Sequence, residues 1–207
     1  LHFLPEVLPG YLWIFPLANG MANVGVGMMS ERIRSHKINL REKMLNAIKN
    51  NPNISPRFKN AELKGKILGW GLPMGMSQQP VSGDNFLLTG DAGSLVDPFS
   101  GEGIGNALYS GMLAAYAIEK SIAEQRFDAT FMKSAYDSAL YKRIGDELKI
   151  GTTMQKLCRF PWLFNLVVNK AEKSPELSKT ISCMFTDIDL REQFRKPSFY
   201  LKILFNK

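Results

Sequence analysis

Apolar and polar positions along the chain divide it into a β-rich start and a mostly helical remainder. Tyr11-Leu12-Trp13-Ile14-Phe15 and Ala22 through Met29 read as strands, linked by Leu17-Ala18-Asn19-Gly20. Aromatic and β-branched residues around an Asn-Gly link predict a β-hairpin. A lone hairpin is marginal in water, so these strands are expected to join a larger sheet whose other strands lie upstream. Asn39 to Asn50 reads as an amphipathic helix with Leu40, Met44, Leu45 and Ile48 on one side and Asn39 as its cap. Asn50-Asn51-Pro52 ends it, and residues 53–60 read as loop.

Further on, Leu63 to Pro73 is expected to return to the sheet as an irregular strand, bent at Gly65, Gly69 and Gly71. Asn85 to Thr89 reads as a compact buried strand running into Gly90-Asp91-Ala92-Gly93. From Ile104 the period turns helical, with Ile104, Ala107, Leu108, Gly111, Ala115 and Ile118 on the expected contact face. Half of those residues are small, which would let the helix lie close to a sheet or a cofactor. Residues 129–145, 146–157, 162–171 and 175–185 read as further helices, with Phe160-Pro161 as punctuation.

Composition narrows the class. A chain of 207 residues with 45% hydrophobic content can fill one substantial core or one core with a satellite. It begins at Leu1 rather than Met, as expected of a domain or a processed piece. No run approaches the roughly 18 apolar residues of a membrane span, and no signal-peptide zones open the chain. Cys158 and Cys183 are the only cysteines and form no CxxC pair, so they read as buried thiols in a reducing, cytoplasmic setting. His2 and His36 are too few for a histidine-rich metal site. The net charge of +7 favours an anionic partner without choosing one. Scattered cations and the lack of zinc-finger, KH or RNP signatures argue against nucleic acid.

The densest candidate chemistry is GDAGSLVDPFSGEGIGNALYSG, Gly90 to Gly111. Glycines at a helix start leave amides exposed to an anion or an electron-rich ligand edge, aided by the helix dipole. Asp91, at a strand end, can accept hydrogen bonds from ligand hydroxyls. An ordinary turn with permissive torsions at Gly101 and Gly103 explains the same residues equally well. The segment is not a P-loop, because GxxxxGK[ST] is absent. Nor is Gly101 to Asn106 a GxGxxG fingerprint, since it ends in Asn and follows a proline-containing loop.

Gly90 to Gly111 resembles the second flavin motif of FAD-dependent reductases and hydroxylases of the glutathione-reductase-like superfamily. The resemblance implies that Gly90, Asp91 and Ala92 meet the ribityl part of FAD, with Asp91 as the ligand. It also implies that Pro98, Gly101, Glu102, Gly103 and Ile104 face the pyrimidine side of the flavin. Pro9-Gly10-Tyr11-Leu12-Trp13-Ile14-Phe15-Pro16, followed by Gly25-Val26-Gly27, resembles the PxxYxWxFP and GxG pattern of geranylgeranyl reductases; Pro9 stands one residue too near Tyr11. Tyr11, Trp13, Phe15, Pro16, Gly25 and Gly27 would then line a cavity for an isoprenoid chain. Alternation puts Tyr11, Trp13 and Phe15 on one strand face, although any half-buried strand can show this.

The resemblance implies an α+β fold representing the C-terminal portion of an FAD-dependent reductase. Residues 1–82 would be part of a substrate domain with a mixed or antiparallel sheet, 83–125 the terminal strand and helix of the FAD domain, and 126–207 a helical region. The full-length enzyme would reduce carbon–carbon double bonds of an isoprenoid or related lipid, drawing on a reduced nicotinamide cofactor or another electron donor. The GxGxxG segment and the acidic ribose ligand are absent, so this chain alone is expected to be inactive and not to retain FAD. Glu102 lies near the flavin-facing loop but reads more readily as a structural or solvated carboxylate, and no proton donor is assigned. The alternatives are a flavin monooxygenase and a non-catalytic lipid-binding or membrane-peripheral module. For the last, Arg191, Arg195, Lys196, Lys202 and Lys207 would meet headgroups while Phe199, Tyr200 and Phe205 insert; a packed terminus fits these residues as well.

Overall fold

A computed structural model describes residues 1–175 and 178. Contacts gather into two compact units, Leu1–Gly71 and a second beginning at Leu72.

The first unit is built on the hairpin. Strand β1 (Tyr11–Pro16) pairs antiparallel with β2 (Ala22–Gly27), and Trp13 stands opposite Gly25. On its other edge, β1 exchanges two hydrogen bonds between His2 and Leu12, at 2.7 and 2.9 Å. Leu12 and Ile14 turn inward, joining Leu4, Val7, Met44, Ala47 and Ile54 in a buried cluster. The intervening residues stay on the outer face, as period-2 alternation requires. A short helix α1 (Ser30–Ser35) precedes α2 (Leu40–Asn50). The Asn39 side chain accepts from the Glu42 amide at 3.2 Å, the predicted cap. Met44 and Ala47 carry α2 into the core, while Leu45 remains 41% exposed.

Leu63 to Pro73 forms no strand. Cβ atoms placed at Gly65, Gly69 or Gly71 would meet nothing, and Leu68 and Trp70 are 87% and 91% exposed. The glycines supply neither side-chain packing nor backbone stiffness, and no strand among the described residues pairs with the segment.

In the second unit the ladders are shorter than expected. Asn85 to Thr89 contributes only β4 (Phe86–Leu87), paired with β3 (Ser82–Gly83). Asn85 takes φ of 63° in the turn between the two strands, which takes it out of the extended run, and Phe86 is 49% exposed rather than buried. Helices dominate: α3 (Ile104–Glu124), α4 (Ala129–Met132), a π-turn at Lys133–Asp137, α5 (Ser138–Leu157) and α6 (Pro161–Lys173). The expected break at Gly145-Asp146 does not occur, because Leu140, Ile144, Leu148 and Gly151 keep one continuous buried face on α5. The core gathers Val81, Leu95, Ala114, Ala117, Tyr136, Leu140, Ile144 and Leu148. Residues 179–185 and the basic, aromatic stretch after Leu190 lie outside the described residues.

Helix α3 reverses the expected orientation. It buries Ser110, Ala114, Ala117 and Ser121, while Ile104, Leu108, Met112, Ile118 and Ile122 are exposed. Small side chains let α3 approach its neighbours closely, and both serines return their hydroxyls to the helix. Ser110 donates to the Ala107 carbonyl at 3.0 Å and Ser121 to that of Ala117 at 2.7 Å.

Candidate functional site

The Gly90 turn is anchored at both ends. Just before it, the Leu88 carbonyl accepts from the Tyr136 hydroxyl at 2.7 Å. The Gly90 amide then donates to Ser110 Oγ on α3 at 3.0 Å. Gly90 has φ of +51°, and a Cβ there would lie 2.9 Å from that of Ala107, so both torsion and space require glycine. After the turn, Leu95 and Val96 are buried; the Leu95 carbonyl accepts from Asn106 Nδ2 at 2.7 Å and that of Val96 from the Gly75 amide at 2.8 Å.

This frame leaves Asp91 outward. Its side chain is exposed, with no hydrogen-bond or ion-pair partner among the described residues. It is nevertheless not remote from the helix start, because a Cβ placed at Gly103 would sit 3.5 Å from Asp91 Oδ1 and 3.1 Å from Val96 Cγ2. Gly103 thus keeps the space beside the carboxylate open. At the start of α3 the first intrahelical bond runs from the Ala107 amide to the Gly103 carbonyl, 2.8 Å. The amide of Ile104 precedes that ladder and has no partner within the helix. Glu102 Oε1 accepts from the Gly105 amide at 2.8 Å, which makes Glu102 a cap on the first turn.

The loop between these two sites is tied by Asp97, only 3% exposed. Its Oδ1 accepts from the amides of Phe99 and Ser100, at 3.1 and 2.7 Å, and from Ser100 Oγ at 2.7 Å. The Asp97 amide donates to the Glu102 carbonyl at 2.7 Å, and Gly101, with φ of +72°, returns its amide to the Asp97 carbonyl at 3.0 Å. On the other side, a Cβ at Gly151 of α5 would lie 2.8 Å from Asp97 Oδ2 and 3.0 Å from Pro98 Cδ. Pro98 is therefore packed against α5, while Asp91, Ala92, Glu102 and Ile104 remain exposed.

Tyr136 is fully buried, and burial pushes its hydroxyl up to about 12. Because the folded pKa exceeds the unfolded value near 10, its stabilisation is complete below about pH 10 and is lost as pH rises towards 12. Urea unfolding followed against pH is expected to show that fall, and Tyr136→Phe to flatten it while costing about 1–2 kcal/mol through the lost bond to Leu88.

The second predicted group lies in the first unit. Tyr11 and Trp13 meet edge to face at 6.2 Å, Trp13 and Phe15 stack at 6.2 Å and 25°, and Phe3 extends the row, 6.1 Å from Tyr11. Gly25 is what lets the indole lie flat, since a Cβ there would overlap the Trp13 ring; one at Gly27 would touch it at 3.7 Å. Trp13 Nε1 donates to Asn23 Oδ1 at 2.8 Å, fixing the ring over β2. The result is an aromatic shelf floored by glycine, with Pro16 exposed at its end.

Sequence reasoning missed Tyr136, Ser110, Asn106, Asp97 and Ser100, which hold the loop. Asp97-Pro98-Phe99-Ser100 carried a readable signal, because an aspartate whose carboxylate can accept from the amides two and three residues on is a turn former. Tyr136 lies 48 residues from Leu88, and no local pattern announces that contact.

Residues 4–63 match the geranylgeranyl reductase catalytic domain family. The digeranylgeranylglycerophospholipid reductase of Thermoplasma acidophilum is 30% identical over 142 residues, covering 68% of this chain and 34% of the relative. A menaquinone reductase of Mycobacterium tuberculosis is 34% identical over 160 residues, covering 75% of this chain and 35% of the relative. Among solved structures, a geranylgeranyl bacteriochlorophyll reductase-like protein from Thermoplasma acidophilum aligns with a TM-score of 0.59 and 25% identity, over 88% of this chain and 49% of that one. The chain thus spans about a third of the length of the curated relatives it matches. By these matches the chain is similar to reductases of the geranylgeranyl reductase group, the family model covering residues 4–63.

Proposed function

We propose that this chain is the C-terminal portion of an FAD-dependent reductase that saturates carbon–carbon double bonds of an isoprenoid lipid. The observation that carries the reading is Asp91: an exposed, unpartnered carboxylate beside the open space at Gly103, on a turn that Ser110, Tyr136 and Asn106 hold in place. An acceptor-only group at a strand end suits sugar-like hydroxyls. The glycine-bearing start of α3 suits a polarisable carbonyl edge, where a dipole stabilises growing negative charge. These residues fit the ribityl chain and pyrimidine edge of FAD.

When bound and reduced, FAD would supply hydride to one carbon of the substrate double bond, with a proton from a side chain or water completing the other. Asp91 would hold the ribityl hydroxyls, and Gly101 to Ile104 would present backbone towards the ring, with Glu102 stabilising the helix start. The Tyr11–Trp13–Phe15 shelf would take the apolar chain, with large flat rings giving contact area without hydrogen bonds to satisfy. The exposed stripe Ile104, Leu108, Met112, Ile118 and Ile122 supports the fragment reading, because further protein would remove that apolar surface from water.

The test supplies the longer flavoprotein with reduced flavin and a geranylgeranyl lipid and weighs the product. A gain of two hydrogens per double bond supports the reductase; incorporation of an oxygen atom identifies a monooxygenase instead. In the same protein Asp91→Ala is expected to weaken FAD at least about tenfold, roughly 1.4 kcal/mol, from the loss of hydrogen bonds to a charged acceptor. Because Asp91 is exposed and unpartnered, the unfolding midpoint should stay unchanged, as fluorescence titration and urea denaturation would check.

A further inference from the structure

The tip of the β1–β2 hairpin is built unlike a solvent loop. Phe15 through Asn23 are nine consecutive exposed residues, and Phe15, Leu17 and Met21 are 51%, 54% and 50% exposed. No charged residue occurs between Glu6 and Glu31, so nothing ionic surrounds these side chains in sequence. The tip is also preformed. The Leu17 amide donates to the Met21 carbonyl at 2.8 Å and the Met21 amide to the Ala18 carbonyl at 3.3 Å, with Asn19 and Gly20 at positive φ. Its apolar groups are presented without further ordering of the backbone.

Charge is distributed unevenly along the molecule. Residues 1–71 hold ten Lys and Arg against four Asp and Glu, whereas the remaining residues hold sixteen against fifteen. Nearly the whole surplus of +7 therefore belongs to the unit that carries the tip. An uncharged apolar projection on a cationic body matches an anionic bilayer, which offers an apolar interior beneath a negative surface. The cations attract over roughly a Debye length, about 8 Å, and the projection then enters the headgroup layer.

We propose that the hairpin tip, through Leu17, Met21 and Phe15, inserts into the headgroup region of an anionic lipid bilayer, with the cationic surplus of the same unit supplying the attraction. Phe15 lies on both the tip and the aromatic shelf, stacked on Trp13, so an apolar chain leaving the bilayer at the tip meets the shelf directly. That second consequence rests on the proposed function; the docking itself does not.

The experiment is flotation of the 207-residue chain with vesicles of equal parts phosphatidylglycerol and phosphatidylcholine, and with phosphatidylcholine alone. The chain is expected to float with the anionic vesicles, to lose most of that binding at high salt, and to float weakly with the zwitterionic ones. Leu17→Glu/Met21→Glu should lower partitioning at least tenfold, and the milder Leu17→Ser/Met21→Ser should lower it severalfold with an unchanged circular dichroism spectrum. A chain ending at Leu190 should bind as the full chain does. Failure of the full chain to float, serine and glutamate pairs that bind undiminished, or loss of binding only on removal of residues after Leu190 would each overturn the proposal. No flavin is needed for any of these measurements, so their outcome is independent of the redox reading.

Discussion

Replacing Asp97 with alanine is expected to lower the unfolding free energy of the second unit by about 3–5 kcal/mol, the largest effect of any substitution in the candidate site. One carboxylate oxygen accepts from two backbone amides and a hydroxyl, and the group is almost fully buried. Alanine removes the acceptor of all three bonds, and a hydrogen bond to a charged group contributes on the order of 1.5–3 kcal/mol, less than additively within one cluster. The loop would also lose the frame that places Gly101 and Glu102 before α3. Asp97→Asn keeps an acceptor at the same place and should cost less than half as much. Urea denaturation of the two variants separates loss of the acceptor from loss of the negative charge.

The second large effect is expected at Gly25. A Cβ there overlaps the Trp13 indole, so Gly25→Val forces the ring off β2 and breaks its bond to Asn23. Crowding of this kind typically costs about 1–3 kcal/mol, and a value near the upper end follows because Gly25 is itself buried. The shelf would be disrupted along with stability, since Trp13 stacks on Phe15 and meets Tyr11. Gly27→Ala is the comparison: its Cβ meets the ring at 3.7 Å, an ordinary contact, and the change should be nearly neutral. Thermal unfolding together with near-ultraviolet circular dichroism of the aromatic row reports both consequences. A stable Gly25→Val variant with an intact aromatic spectrum would show that the indole is not held as described.

The residues that were legible in the sequence are those whose role is local. Alternation of Tyr11, Trp13 and Phe15 with Leu12 and Ile14 announced the hairpin, and the Asn39 cap announced α2. At Gly90-Asp91 a glycine-bearing turn after an apolar run was readable, and the structure adds the positive φ of Gly90 and the outward carboxylate of Asp91. Helix α3 was misread for a physical reason. Hydrophobicity selected Ile104, Leu108 and Ile118, but the helix packs through Ala and Ser, whose small size permits close approach and whose hydroxyls bond within the helix. The irregular strand expected at residues 63–73 failed because a strand is a pairing as well as a propensity, and three glycines weaken it without a partner. The contacts that rigidify the site, Tyr136 to Leu88 and Asn106 to Leu95, depend on tertiary placement and leave no periodic trace.

On the proposed function, the Asp91 turn and the aromatic shelf are parts of one longer flavoenzyme. The most direct measurement is the in-frame sequence of the source transcript immediately upstream of Leu1, over about two hundred residues, the length of a typical domain. The expected result is a strand followed by GxGxxG and a helix, with an acidic residue at the end of the next strand to hold the adenosine ribose. A start codon adjoining Leu1 would contradict it.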